Sequence, residues 1–176
     1  KNNYKINEKI KSFKNTNNTQ SNPSSIKRAA KLISNSSKGI IIVGGGIKYT
    51  SGFKPVIELA EYLNVPIVTA AGHGDAIPFN HKLNAGQMGP RGNPVATKLT
   101  KEADIILAIG TRLGFNSTFY SFENINKKAK IIQVELEKKM LGKYFPIKIG
   151  INADAATTAN QLLREFKKQK IKSEVK

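Results

Sequence analysis

The sequence contains no cysteine and no tryptophan among its 176 residues. Without thiols, disulfide frameworks, thiolate zinc sites and cysteine nucleophiles are all excluded. Long hydrophobic runs are missing as well, because aliphatic stretches such as Ile40–Val43 are far too short to cross a bilayer. We therefore predict no membrane contact.

The chain begins with Lys1 and not with methionine, and no charged-then-apolar leader opens it. These features lead us to expect a piece of a longer polypeptide. The lack of a leader, a membrane segment and cysteine together favours a cytoplasmic protein.

Acidic residues are scarce: 12 aspartates and glutamates face 29 lysines and arginines, for a net charge of +17. Most of this excess lies at the two ends of the chain, in residues 1–38 and 161–176. Few of the cations are arginines able to grip phosphate with two hydrogen bonds, and aromatics that could stack on bases are not interleaved with them. We therefore predict that the chain does not bind nucleic acid.

Hydrophobic residues make up 39% of the chain, enough for one packed domain. Residues 1–22 include the polar stretch 15–22 and are predicted to form a flexible linker. The domain is expected over 23–170, followed by a short tail at 171–176.

Apolar runs alternate with helical patterns along the predicted domain. Strands are predicted at 39–43, 66–69, 105–109, 131–135 and 147–151. Helices are predicted from a serine cap at Ser24 or Ser25, over 51–63, from Asn93-Pro94 to about Ala103, and after a cap at Asp154. This alternation predicts an α/β fold, a Rossmann-like parallel sheet of five to six strands with helices on both faces. Loops that follow parallel strands share one sheet edge, where ligands bind.

A run of three glycines, Gly44, Gly45 and Gly46, follows the first strand directly. Such a loop either brings the backbone close to a phosphate, with helical amides behind it, or is a tight turn without a ligand. The dinucleotide fingerprint would need glycine where Tyr49 stands, and no Gly-Lys-Ser/Thr follows, so a nicotinamide dehydrogenase is disfavoured.

Two arginines and a glutamate are predicted at the same edge. Arg91, in the glycine-rich loop predicted over 71–92, and Arg112, after the third strand, are each able to pair with a phosphate or carboxylate. Glu135 ends the fourth strand and is either a hydrogen-bond acceptor for a ribose or a solvent-facing acid. His73, Asp75 and His81 are too weak a set to predict a metal site, and structural histidines are favoured. No catalytic residue is identified.

Several segments, taken together and in order, resemble the central domain of thiamine-diphosphate-dependent enzymes of the acetolactate synthase and oxalyl-CoA decarboxylase group. They are Ile-Ile-Val-Gly-Gly-Gly at 41–46, Leu-Ala-Glu-Tyr-Leu-Asn-Val-Pro-Ile-Val at 59–68, His-x-Leu-x-x-Gly-x-x-Gly-x-x-Gly at 81–92, Ala-Asp-Ile-Ile-Leu-Ala-Ile-Gly-Thr-Arg at 103–112 and Ile-Ile-Gln-Val-Glu at 131–135. Within the group, His73-x-Asp75-x-x-Pro78, Gly110–Gly114 and Lys139–Gly142 are most similar to the sulfoacetaldehyde acetyltransferases.

The resemblance implies a six-stranded central domain whose crevice holds FAD, ADP or nothing. The positions implied to bind the nucleotide are Gly44, Gly45, Gly46, Gly89, Arg91, Gly110, Thr111, Arg112, Glu135 and Asp154. Five strands are accounted for from the sequence, so a sixth is still to be located.

The resemblance also implies that catalysis needs parts outside this sequence. The family's catalytic glutamate lies in an N-terminal domain, and its Gly-Asp-Gly…Asn motif for Mg²⁺ and thiamine diphosphate lies in a C-terminal one. The implied partners are these two domains, in a parent that is a homodimer or homotetramer. The implied reaction is transfer of an acetyl group from sulfoacetaldehyde to phosphate, with release of sulfite. Acetolactate synthase-like and oxalyl-CoA decarboxylase-like activities are the nearest alternatives.

Two functions of other classes also fit. The stretch Gly86-Gln-Met-Gly89 is similar to one in electron-transfer flavoproteins, which would make the chain a flavin-binding redox module. Alternatively, the domain is a structural spacer whose crevice binds no ligand.

Overall fold

The computed structural model of the protein describes residues 20–49 and 51–170. Most of the linker predicted over 1–22, and the tail predicted at 171–176, lie outside these residues. Ser21 and Asn22 are described and belong to the packed structure. The Ser21 side chain is buried and forms a hydrogen bond with the hydroxyl of Thr158 at 2.9 Å.

The centre of the described chain is one six-stranded sheet in which every paired strand is parallel. The strands are β1 (Gly39–Val43), β2 (Ile67–Thr69), β3 (Asn84–Gln87), β4 (Ile105–Ile109), β5 (Lys130–Glu135) and β6 (Ile149–Asn152). Their spatial order is β3-β2-β1-β4-β5-β6. The predicted doubly covered parallel sheet is confirmed.

The strand that sequence patterns did not reveal is β3. It lies within the glycine-rich stretch that was predicted to be a loop, and its sequence Asn-Ala-Gly-Gln has no apolar run. All four of its residues are only partly buried at the edge of the sheet. Its pairing with β2 places Asn84 beside Ile67 and Gln87 beside Thr69, with an irregular register between them. The pairing therefore depends on the neighbouring strand more than on local propensity.

Six α-helices accompany the sheet in the described residues. They are α1 (Pro23–Ser34), α2 (Gly46–Tyr49), α3 (Phe53–Leu63), α4 (Pro94–Glu102), α5 (Phe115–Thr118) and α6 (Ala155–Lys168). Two short 3₁₀ turns lie at Gly74–Ala76 and Lys138–Met140.

Side-chain caps define the starts of three helices. Asn93 and Asp154 cap α4 and α6 as predicted, by accepting hydrogen bonds from the amides of Val95 and Thr157. The predicted serine cap of α1 is wrong, because Asn22 accepts the hydrogen bond from the Ser24 amide. Because Pro23 follows Asn22 and occupies the first helical position, where no amide hydrogen is needed, the helix begins two or three residues earlier than expected.

Successive side chains along the buried strands point to opposite faces of the sheet, so the core has two layers. On one face, Ile41 and Val43 of β1 pack with α1, α3 and α6, including the fully buried ring of Phe166. On the other face, Ile40 and Ile42 pack with α4 and the segments that precede β5 and β6. The result is the predicted three-layer arrangement, and it directs the carboxyl ends of all six strands to one edge.

None of the helices in the described part of the chain is long and apolar enough to span a membrane.

Candidate functional site

A cleft of about 610 Å³ opens at the carboxyl ends of β1, β2, β4 and β5. This volume falls in the usual range for small-molecule sites, roughly 300–1,000 Å³. The lining residues come from the loops after four strands: Gly44, Gly45, Gly46, Tyr49, Ala70, Ala71, His73, Gly110, Thr111, Arg112, Gly114, Phe115, Asn116, Ser117, Glu135, Leu136 and Glu137. The predicted position of the site at this edge therefore coincides with a cleft.

The glycines at the base of the cleft allow two neighbouring loops to touch. A Cβ atom on Gly46 would lie 2.6 Å from the Cα atom of Gly110, and one on Gly44 would lie 2.5 Å from the Gly110 carbonyl oxygen. Contacts below 3.0 Å cannot be accommodated without displacement of the backbone. Gly110 itself has φ +59°, in the left-handed region that glycine tolerates best. These glycines are thus required for loop packing, whether or not a ligand is bound.

The short helix α2 offers fewer free amides than the sequence suggested. Because the turn after β1 closes on itself, the amide of Ile47 donates to the carbonyl of Gly44, and that of Lys48 donates to Gly45. The amide of Gly46 donates to the carbonyl of Gly110 at 2.9 Å. The predicted helix over 51–63 starts at Phe53, away from this loop. The amides of Ile47 and Lys48, which follow the glycine loop, are therefore already paired within the protein.

Arg112 supplies the positive charge of the cleft. Its Nη2 atom lies 3.0 Å from Oε2 of Glu137, whose Oε1 atom lies 2.6 Å from Nζ of Lys139. The hydrogen bond from Lys139 and the nearby charge of Arg112 hold the pKa of Glu137 below its ordinary value. Half of the Arg112 side chain is exposed, so its pairing with Glu137 is open to exchange with another anion.

Polar groups beside Arg112 are fixed by hydrogen bonds within the protein. The buried hydroxyl of Thr111 accepts from the amide of Leu113 at 3.2 Å. Glu135 is half-buried at the end of β5, and its carboxylate accepts from the amide of Glu137 at 3.4 Å. Glu135 is also one of the residues that line the cleft.

A cluster of aromatic rings adjoins the cleft through Phe115. Phe115 lines the cleft and contacts Phe119 and Tyr120, with ring centroids 5.1 and 5.6 Å apart. Tyr120 stacks on Tyr144 with ring centroids 4.4 Å apart, and the interaction between their side chains raises the pKa of Tyr120 and lowers that of Tyr144. Phe119 and Tyr120 both have positive φ, a conformation that costs a non-glycine residue about 1–2 kcal/mol.

Three predicted positions lie outside the cleft. Arg91 is exposed and is not among the cleft-lining residues, so the expected pair of guanidinium groups in one cleft is not formed. Gly89 lines a separate groove with Pro90 and Gly92. Asp154 is buried and caps α6 with its carboxylate. The sequence placed Gly89 and Arg91 in a glycine-rich loop ahead of a helix and Asp154 at a helix cap, but it did not show which way these segments run.

The structure adds cleft residues that sequence reasoning did not select. His73 was interpreted as structural, and it lines the cleft beside Gly45. Glu137 was not selected although it holds Arg112, and its position two residues beyond the fourth predicted strand was the available signal. Ser117 joins two walls by accepting a hydrogen bond from the Ala71 amide at 2.9 Å. No pattern in the sequence pointed to that contact.

A metal centre is not formed by the described residues, since no group of three or more histidine or acidic side chains is placed to hold an ion. His81 lies 3.4 Å from Glu61, outside the cleft, and Asp75 pairs with Lys48. The three residues considered as a weak metal set therefore have separate partners or positions.

Comparison with known proteins assigns the family. The model described as "Thiamine pyrophosphate enzyme, central domain" matches residues 26–162. The fold is also similar to benzoylformate decarboxylase from Polynucleobacter necessarius, with a TM-score of 0.71 and 20% identity over 89% of this chain and 28% of that one.

Proteins that are similar to this chain in sequence include an acetyltransferase and an acetolactate synthase subunit. Sulfoacetaldehyde acetyltransferase of Castellaniella defragrans is 36% identical over 84% of this chain and 25% of its own length. The protein of Methanocaldococcus jannaschii named "Probable acetolactate synthase large subunit" is 31% identical over 82% of this chain and 24% of its own length. The chain thus spans about a quarter of these relatives, in the region that the family model describes. It belongs to the thiamine pyrophosphate enzymes and comprises their central domain.

Proposed function

We propose that the complete protein is a sulfoacetaldehyde acetyltransferase, which converts sulfoacetaldehyde and phosphate to acetyl phosphate and sulfite. The observation that carries this proposal is the similarity to acetyltransferases of that name in Castellaniella defragrans and Roseovarius nubinhibens, each 36% identical to this chain. Similarity to acetolactate synthase large subunits is lower, at 31% for the Methanocaldococcus protein. Because the family model matches residues 26–162, we set aside the alternative of an electron-transfer flavoprotein module, which the stretch Gly86-Gln-Met-Gly89 had suggested.

The chemistry of the reaction belongs to other parts of that protein. Thiamine diphosphate supplies an electron sink for the carbanion next to a cleaved bond. The described residues do not fit this cofactor and its Mg²⁺, because no cluster of acidic side chains is available for the ion. We infer that the cofactor, the metal and the catalytic groups lie in N- and C-terminal domains of a dimeric or tetrameric parent.

The central domain contributes a nucleotide site in this proposal. The cleft fits the ADP group, alone or as part of FAD, because it combines a cationic side chain with a carboxylate at the end of β5. Arg112 would pair with the diphosphate, and Glu135 would accept a hydrogen bond from the ribose.

The activity is tested with the full-length parent protein, thiamine diphosphate and Mg²⁺. With sulfoacetaldehyde and phosphate, we expect acetyl phosphate and sulfite in equal amounts. Pyruvate alone serves as the comparison substrate, because an acetolactate synthase would convert it to acetolactate and CO₂. Acetolactate formation without acetyl phosphate would favour the activity named for the archaeal relative. Formation of neither acetolactate nor acetyl phosphate would contradict both assignments.

A further inference from the structure

Folding brings the two basic ends of the sequence together on one pair of helices. The helix α1 packs against α6, and the two share one buried core cluster. Just before α1, the Ser21 hydroxyl forms a hydrogen bond with that of Thr158 at 2.9 Å, and the Ser21 amide donates to Oε1 of Gln161 at 3.3 Å. The basic excess at 1–38 and 161–176 is therefore joined in space, in the parts of both ranges that the structure describes.

Each of the two helices presents a pair of exposed cations one turn apart. Lys27 and Lys31 are separated by four residues on α1. Arg164 and Lys168 have the same separation on α6. Side chains at this spacing are neighbours, with Cβ atoms about 5–6 Å apart, and like charges there destabilise a helix. None of the four cations forms an ion pair within the described residues, so both repulsive pairs lack a neutralising partner.

A groove of about 200 Å³ lies between α1 and α6. Lys27, Arg164 and Lys168 line this groove, so cations from both helices adjoin one opening. The apolar side chains of Pro23 and Ile26 also contribute to the lining. The groove therefore combines an apolar surface with positive charge from both of its sides.

The one acidic residue of the groove does not cancel this charge. Glu165 is half-buried, and its carboxylate accepts a hydrogen bond from the side-chain amide of Gln169. Together, α1 and α6 contain six cationic side chains and this single carboxylate. Exposed charges of one sign attract a partner of the opposite sign, most strongly at low ionic strength.

The chemistry of the groove favours an acidic peptide over nucleic acid or a lipid surface. Neither helix exposes an aromatic ring that could stack on a base, or a large apolar side chain that could enter a lipid layer. Carboxylates one turn apart on a partner helix have the same spacing as the two cation pairs. An apolar side chain of such a helix would find Pro23 and Ile26 in the groove.

We propose that the groove between α1 and α6 is a docking site for an acidic helical segment of a partner protein. The carboxylates of the segment pair with Lys27, Arg164 and Lys168, which line the groove. None of the described residues lines both this groove and the cleft at the carboxyl ends of the strands. The docking site is therefore independent of the activity and the nucleotide site proposed above.

Fluorescence anisotropy of a labelled peptide tests the docking site in the full 176-residue chain. The probe is a helical peptide of glutamates with leucines one turn apart, and the same peptide with glutamine in place of glutamate is its uncharged control. The groove variant, with Lys27→Gln, Arg164→Gln and Lys168→Gln, should bind the glutamate peptide about tenfold more weakly, as for the loss of several exposed ion pairs. Circular dichroism should show no loss of stability, because the substitutions also remove repulsion between like charges.

The matched control variant carries Lys127→Gln, Lys128→Gln and Lys130→Gln. These three lysines are exposed and lie outside the groove, and their replacement removes the same total charge. The control variant should therefore bind the glutamate peptide like the wild type. Equal weakening by the two triple variants would overturn the proposal, since net charge alone would then account for the binding.

Two further probes distinguish the partner from other anionic surfaces. A short DNA duplex and vesicles that contain phosphatidylserine are titrated with the same three proteins. The groove variant should weaken peptide binding more than binding to either of these probes. An equal or larger effect on the duplex or the vesicles would overturn the assignment to an acidic peptide.

The wild-type chain and the cleft supply the remaining controls. Failure of the wild type to bind the glutamate peptide, or equal binding of the glutamine peptide, would also overturn the docking site. ADP binding should be the same in all three proteins, because the substituted side chains do not line the cleft. Failure of the docking site therefore leaves the proposed nucleotide site and activity standing.

Discussion

The amide of Gly46 donates a hydrogen bond to the carbonyl oxygen of Gly110 at 2.9 Å, across the boundary between the β1 and β4 loops. Because the two strands are adjacent and parallel, their following loops leave the sheet side by side. Direct backbone contact between them closes the base of the cleft. The glycines identified in the sequence are therefore needed for the packing of these two loops, and that packing in turn shapes the cleft.

Gly46→Ala should destabilise the protein by about 1–3 kcal/mol, the usual cost of overpacking a tight contact. The new methyl group would overlap the Cα atom of Gly110, which belongs to backbone and cannot rotate away. Urea denaturation followed by circular dichroism measures the free energy of unfolding. Gly114→Ala is the control, because a Cβ atom there meets nothing within 4 Å. Equal stability of the two variants would contradict the packing role.

Glu137→Gln should raise the affinity of the cleft for ADP several-fold. The substitution removes the carboxylate that pairs with Arg112, so the guanidinium group becomes available to phosphate. The gain should shrink at high salt, since these side chains are partly exposed. Titration calorimetry at two salt concentrations measures both effects. Glu102→Gln, which alters pairs with Lys38 and Lys98 outside the cleft, should leave ADP binding unchanged.

The pKa of Asp75 should lie below its ordinary value, because Lys48 donates a hydrogen bond to its carboxylate. A lowered folded-state pKa means that the ion pair contributes stability above the ordinary pKa and loses it as the pH falls through the lowered value. Carboxyl ¹³C NMR over an acid titration measures this pKa directly. Lys48→Met should return it toward the ordinary value. An unchanged titration curve in that variant would mean that the pair is not formed in solution.

Asp154→Ala should cost about 1 kcal/mol of stability and leave ADP affinity unaltered. The reason is that its carboxylate caps α6 by accepting a hydrogen bond from the Thr157 amide at 2.7 Å, and it does not line the cleft. Asp154→Asn retains a capping oxygen and should recover most of the loss. A large drop in ADP binding in either variant, with stability preserved, would show that Asp154 belongs to the ligand site.

Much of the fold was accessible from the sequence because its signals are local and strong. The four internal strands of the sheet contain apolar runs such as Ile105–Ile109, which indicate burial on both faces. The caps at Asn93 and Asp154 follow from side-chain chemistry within three residues. The edge strand β3 lacked any such signal, since its residues are half-buried and its pairing depends on β2.

The site was only partly predictable, because loop direction is a tertiary property. The sequence predicted Arg91 and Arg112 at the same edge of the sheet, yet only Arg112 lines the cleft. Gly44 and Gly46 were found by pattern, but their contact partner, Gly110, is more than 60 residues away in the chain. His73 carried no distinguishing signal, because its enclosure depends on Gly45 and on the turn held by Lys48 and Asp75.

The proposed nucleotide site at the carboxyl ends of β1, β2, β4 and β5 is tested most directly by calorimetric titration of ADP into the wild-type chain and into Gly114→Trp. Gly114 lines the cleft and has open space around it, so an indole there would fill the cleft without disturbing the core. We predict one ADP site in the wild type, no binding to Gly114→Trp, and normal binding to Gly114→Ala. Equal ADP binding by the wild type and Gly114→Trp, or no binding by either, would contradict a nucleotide site in this cleft.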